Sequence, residues 1–139
     1  MHPQTYKSLA NARHFMRDAY RRPVSLPDIS AQANLSTYHF LSVHKLTFGE
    51  TPHEFLTRLR IERAKALLAR GSHNVTEACF EVGFSSLGSF SAMFNHRVGL
   101  SPSEYRRHAR SSVAVPQTVR PLLVPECFFA MFYGSLRAG

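Results

Sequence analysis

Thr51-Pro52-His53-Glu54-Phe55 returns fifty positions later as Ser101-Pro102-Ser103-Glu104-Tyr105. Self-similarity at such a period marks one supersecondary unit used twice, and it governs how the rest of the chain is read. Gly49 and Gly99 stand just ahead of the two copies, and further upstream Ser25-Leu26-Pro27-Asp28 pairs with Asn74-Val75-Thr76-Glu77. The offset is 49 as far as Ser36 and Ser85 and 50 from Phe40 and Phe90 onward. One residue has therefore entered a turn of the second copy, where insertions are tolerated.

All four of these stretches have the form S/T/N-x-x-D/E, in which a side-chain oxygen caps an orphan backbone N–H and the acid reaches back to the cap. Each predicts a helix start. Pro52 and Pro102 occupy the first helical position, where a missing N–H costs nothing. Leu26, Ile29, Ser30 and Ala33 share one helical face in the first copy, Val75, Ala78, Cys79 and Val82 in the second. Asn34 and Gly83 then supply residues that tolerate a left-handed turn. Ser36 and Ser85 or Ser86 cap the next helices, which bury Phe40, Val43 and His44 in one copy and Phe90, Met93 and Phe94 in the other. Two short helices joined by a tight turn, twice over, is the helix-turn-helix pattern. Between the copies, residues 52–70 read as one connecting helix with Phe55, Leu59, Ala66 and Leu67 inward. At about 1.5 Å per residue it spans roughly 28 Å, near the roughly 34 Å between successive major grooves on one side of a duplex. Upstream, Leu9, Ala12, Phe15, Met16 and Ala19 predict a first helix ending near Arg21-Arg22-Pro23.

Composition narrows the function. The 139 residues are 44% hydrophobic, enough for one ordinary domain, and the formal charge of +8 favours an anionic partner, nucleic acid before membrane. Cys79 and Cys127 form no C-x-x-C pair, which argues against a disulfide framework or a zinc cluster and for a reducing compartment. No apolar signal region opens the chain and no apolar run approaches the length of a membrane span. The expectation is a cytoplasmic, nucleoid-associated protein with no membrane partner. Eight histidines lack acidic or cysteine companions at ligand spacing, so neither metal nor cofactor is expected. No nucleophile or phosphate-loop motif is present, so no enzymatic activity is expected.

Residues 24–107 resemble the DNA-binding domain of the AraC/XylS family of bacterial transcription regulators. The resemblance rests on Arg60-Ile61-Glu62-Arg63-Ala64-Lys65-Ala66-Leu67-Leu68, on Val75 through Ser85, on Phe90-Ser91-Ala92-Met93-Phe94 and on Gly99-Leu100-Ser101-Pro102-Ser103-Glu104-Tyr105-Arg106, in that order. It implies an all-α fold of about seven helices: two helix-turn-helix subdomains, near residues 25–48 and 74–98, joined by the connecting helix and closed by a last helix near 102–109. It also implies that the second helix of each unit enters a major groove of double-stranded DNA, usually to recruit or assist RNA polymerase at a promoter. The outward stripe of the first reading helix is then Tyr38, Leu41, Ser42 and Lys45, matched by Gly88, Ser91, Ala92 and Asn95 on the second. With Thr37, Ser86 and Leu87 at the helix starts, these form the base-facing set apart from Lys45, which joins Arg58, Arg60, Arg63, His96, Arg97 and Arg106 as phosphate-facing.

The family commonly carries arginine where Ser42 and Ala92 stand, and arginine makes the commonest specific base contact, bidentate to guanine. Asn95 remains suited to adenine, and Leu41 and Leu87 to thymine methyls. With about 6 to 10 phosphate contacts, affinity should fall some 10³-fold or more between 50 and 200 mM salt. The leading expectation is a sequence-specific regulator spanning two adjacent major grooves as a monomer. The alternative, motivated by Ser42, Ala92 and the tail, is an interaction module or inhibitor that kept the fold with weak DNA binding. Residues 111–139 hold Pro116, Pro121 and Pro125 and then Cys127-Phe128-Phe129-Ala130-Met131-Phe132-Tyr133. This extension is expected to pack back on the domain or to form a dimer or partner surface. The helices use most of the 139 residues, so no separate effector-binding domain is expected within them; activity is then expected to be set by abundance or by a partner, or the chain to be a fragment.

Overall fold

The computed structural model describes residues 2–111, and among these the elements are seven α-helices and no strand. They are α1 (Pro3–Ala19), α2 (Leu26–Gln32), α3 (Thr37–Phe48), α4 (Pro52–Arg70), α5 (Val75–Glu81), α6 (Leu87–Val98) and α7 (Pro102–Ser111). The aromatic extension and Cys127 lie outside the described residues.

The caps form where the repeat predicts them. Ser25 and Asp28 exchange hydrogen bonds at the start of α2, as do Asn74 and Glu77 at α5 and Ser101 and Glu104 at α7. At α4 the exchange is incomplete: Thr51 accepts from the Glu54 N–H at 3.1 Å, but the Glu54 carboxylate takes the Thr51 hydroxyl instead of its backbone. The extra residue of the second copy falls in the helix-turn-helix turn, five residues between α5 and α6 against four between α2 and α3. Asn34 adopts the left-handed conformation at φ 54°. Helix α1 ends at Ala19, and the Tyr20 and Arg22 carbonyls just beyond it accept from Arg60 of α4.

Two apolar clusters share α4. The first gathers Leu9, Ala12 and Met16 of α1, Ile29 and Ala33 from the α2 region, Phe40 of α3, and Phe55 and Leu56 from the first half of α4. The second gathers Ile61, Ala64, Leu67 and Leu68 from its second half with Ala78 and Cys79 of α5, Val82, and Phe90 and Phe94 of α6. Each large side chain taken fully from water contributes about 1.5–3 kcal/mol, which is why helices of seven residues persist here and would not in isolation. Val43, Met93 and Leu59 are half-buried at the cluster margins, and Ala66, expected inward, is half-buried too.

His44 is fully buried against Phe40, Phe48 and Phe55, with ring centroids 4.9–6.3 Å away. Its Nδ1 lies 2.8 Å from the Glu50 carbonyl oxygen, which can only accept, so Nδ1 carries the proton of the neutral ring. Burial lowers its pKa from the ordinary 6.5 to about 4, with Arg13 lowering it further and the Glu50 hydrogen bond opposing. The unfolded chain therefore binds a proton between pH 6.5 and 4 that the folded chain refuses, and stability present above pH 6.5 is lost as pH falls through that window. Between pH 7 and 5 the loss from this one group should be about 2 kcal/mol. Urea melts at the two pH values should show that difference shrinking in His44→Phe; an unchanged pH dependence would count against the buried neutral ring.

Candidate nucleic-acid interface

The second helix of each unit turns a polar face outward. On α3, Tyr38 is 81% and Leu46 84% exposed, with Ser42 between them at helical spacings of four. Ser42 donates its hydroxyl back to the Tyr38 carbonyl at 3.1 Å, so in this conformation only its lone pairs face out. Lys45 is exposed beside the helix end, donating to the Gly49 carbonyl at 3.3 Å and lying 3.9 Å from Glu54. Leu41 is half-buried and Thr37 bonds across to Ser30 at 3.3 Å, which ties α3 to α2 and leaves Thr37 little part in any outer face.

On α6, Ser86 is the cap, accepting from the Ser89 N–H, and Leu87, Gly88, Ala92, Asn95 and His96 are exposed while Ser91 is half-buried. The Asn95 amide makes no hydrogen bond among the described residues, so both its donor and its acceptor are available. Position 46 was missed in the sequence because leucine normally counts as core; its place eight residues after Tyr38, on the same outward line, is the signal that finds it.

Two of the cations expected to face phosphate are bonded to acceptors within the protein. Arg58 is buried, with Nη2 2.6 Å from Glu50 Oε1 and its guanidinium over the Phe55 ring. Arg60 donates from Nε to the Tyr20 carbonyl at 2.8 Å and from Nη2 to that of Arg22 at 3.3 Å, bracing α4 against the end of α1. Helix α4 is packed on several sides, so arginines that look like a solvated stripe in sequence are taken up inside. Arg63, by contrast, is half-buried and makes no ion pair or hydrogen bond among the described residues. His96 is exposed, and Arg97 and Arg106 are half-buried. Desolvation lowers the pKa of Arg97, with Glu50 and Glu54 pulling the other way.

Between α1, the α3–α4 turn and α4 lies a charged knot that the sequence did not announce. The Arg13 guanidinium, 3% exposed as a residue, sits 4.0 Å from the ring centres of both Phe48 and Phe55 and 3.4 Å from Glu50. Glu50 thus joins Arg13 to Arg58 and connects α1 with the α3–α4 turn. Burial brings the Arg13 pKa down to about 10, still far above neutrality. Arg13 lies four residues after Leu9 and three before Met16, so the apolar stripe of α1 already ran through it.

Seven helices arranged as two helix-turn-helix units on a shared α4 define a double helix-turn-helix protein. A family model described as a helix-turn-helix domain matches residues 29–108. The chain belongs to the AraC-type helix-turn-helix family. It is 35% identical over 96 residues to the MmsAB operon regulatory protein of Pseudomonas aeruginosa, covering 69% of this chain and 31% of that protein. It is 28% identical over 102 residues to the lactose operon transcription activator of Staphylococcus xylosus, covering 73% and 37%. Among solved structures, an AraC-type regulator from Chromobacterium violaceum superposes with a TM-score of 0.71 at 26% identity, over 80% of this chain and 96% of that one. The chain spans about a third of the length of the curated relatives it matches. These relatives bear names of regulators, and nothing in them favours the interaction-module alternative. Among the described residues no helix is long and apolar enough to cross a membrane.

Proposed function

We propose that this chain is a DNA-binding transcription regulator that sets α3 and α6 into two successive major grooves of one duplex. The observation that carries the reading is the duplicated unit whose outer faces, Tyr38-Ser42-Leu46 and Gly88-Ala92-Asn95, are exposed while the framework behind them is buried. A cytoplasmic monomer acting at promoters, with RNA polymerase as a further partner, fits the family.

The two faces differ, so the two half-sites differ and the protein has a direction on DNA. Asn95 reads adenine through its N6 and N7 edge, and Leu46 and Leu87 meet thymine methyls. Lys45, Arg63, His96, Arg97 and Arg106 contact phosphates, positioning the protein without reading sequence. Selection from random DNA at moderate salt should enrich a bipartite, non-palindromic motif; a library that stays random would sink the reading. Asn95→Ala should relax preference at one base pair by about 1–3 kcal/mol. Arg63→Ala should weaken binding to all sequences alike and lower the salt slope by about 1. Equal losses on every sequence for Asn95→Ala would remove it from the reading set.

A further inference from the structure

We propose that the corner Tyr20-Arg21-Arg22, between α1 and α2, is a strut that locks the two helix-turn-helix units at one fixed angle and so selects one spacing between half-sites. This rests on the DNA-binding reading for its consequence, but not for its geometry. Two units joined by α4 alone could bend or swivel about it, because one connection leaves rotations free. The corner supplies a second connection. The Tyr20 ring packs against both apolar clusters. Its carbonyl accepts from Arg60 Nε at 2.8 Å, and the Arg22 carbonyl from Arg60 Nη2 at 3.3 Å.

The turn of the second unit closes on the same corner. A Cβ on Gly83 would stand 2.6 Å from the Tyr20 carbonyl oxygen and 3.0 Å from that of Arg21, so the two backbones touch as nearly as glycine permits. Arg21 and Glu81 add an ion pair across the seam. Residues of the first unit, of α4 and of the second unit thus meet at this corner, and the assembly is a closed truss. One base pair shifts a half-site by about 3.4 Å and about a tenth of a turn, so a truss that resists swivelling discriminates against a single-base-pair change of spacing.

The test uses the full chain and Arg60→Ala. Residual dipolar couplings on the free protein should fit one alignment tensor for both units in the wild type and need two in the variant. Selected DNA should show one half-site spacing for the wild type; for the variant the preferred spacing should spread over at least one base pair either side, with affinity for the wild-type site down roughly tenfold. If Arg60→Ala does not fold, Arg60→Gln, which keeps the bulk and part of the donor set, takes its place. A single tensor together with an unchanged spacing in the folded variant overturns the strut. A uniform loss at every spacing with a lower salt slope overturns it too, since Arg60 would then be a phosphate contact. If the wild type enriches no motif, the DNA-binding reading fails and the couplings alone decide the strut.

Discussion

Replacing Glu50 with alanine is expected to destabilise the domain by about 3–5 kcal/mol, the cost of leaving buried cations without their counter-charge. Arg13 and Arg58 share this carboxylate, with side chains 4% and 7% exposed, and Arg13 is held between two aromatic faces that prevent it from swinging into water. Coulomb attraction does not make the knot a net source of stability, because all three charges were desolvated to form it. Removing only the carboxylate keeps that desolvation and loses what offsets it. Glu54→Ala, which removes an exposed carboxylate at 3.9 Å from Lys45, should change stability by no more than about 1 kcal/mol. Denaturant melts of the two variants give the comparison; similar midpoints would show that Arg13 and Arg58 find other partners or water. Because the knot joins α1 to the α3–α4 turn, Glu50→Ala should loosen α3 first, seen as faster amide exchange there than in α6.

Raising salt from 50 to 200 mM should weaken DNA binding by roughly 150- to 500-fold, from a slope of about −0.9 per phosphate contact. The lower figure counts Lys45, Arg63, Arg97 and Arg106, the upper adds a fifth contact from His96. Both fall below the thousandfold or more expected from the sequence, because Arg58 bonded to Glu50 and Arg60 bonded to two carbonyls are left out of the count. Titrations of one duplex across that salt range measure the slope. A slope steeper than about −6 would mean that further cations, such as Arg107 or Arg110 on α7, also reach the backbone.

Helix positions were legible in the sequence because the signals that place them are short in range. A serine, threonine or asparagine and the acid three residues on decide a helix start between themselves, and Pro52 and Pro102 act on their own backbone. The stripe Leu9-Ala12-Met16-Ala19 likewise declared an inner face without help from its neighbours. The exposure of Tyr38, Ser42 and Lys45 on α3 followed from the same periodicity, whereas Thr37 and Leu41, expected on that face, are half-buried and Leu46 is exposed against its residue type.

Charges were another matter. On α4 the apolar and charged residues are so mixed that no single face stands out, and the helix runs through the middle of the fold with Phe55, Leu56, Ile61, Ala64, Leu67 and Leu68 all buried. Which of its cations meet water depends on what packs on each side, a matter of residues about 40 positions away such as Tyr20 and Arg22. The duplicated helix-turn-helix framework and the unlike outer faces of its two copies were determined by the sequence alone, since both follow from local spacing. The angle between the copies, and the division of the arginines into buried braces and surface cations, were decided by the tertiary structure, because a guanidinium goes wherever a desolvated carboxylate or carbonyl most needs a donor.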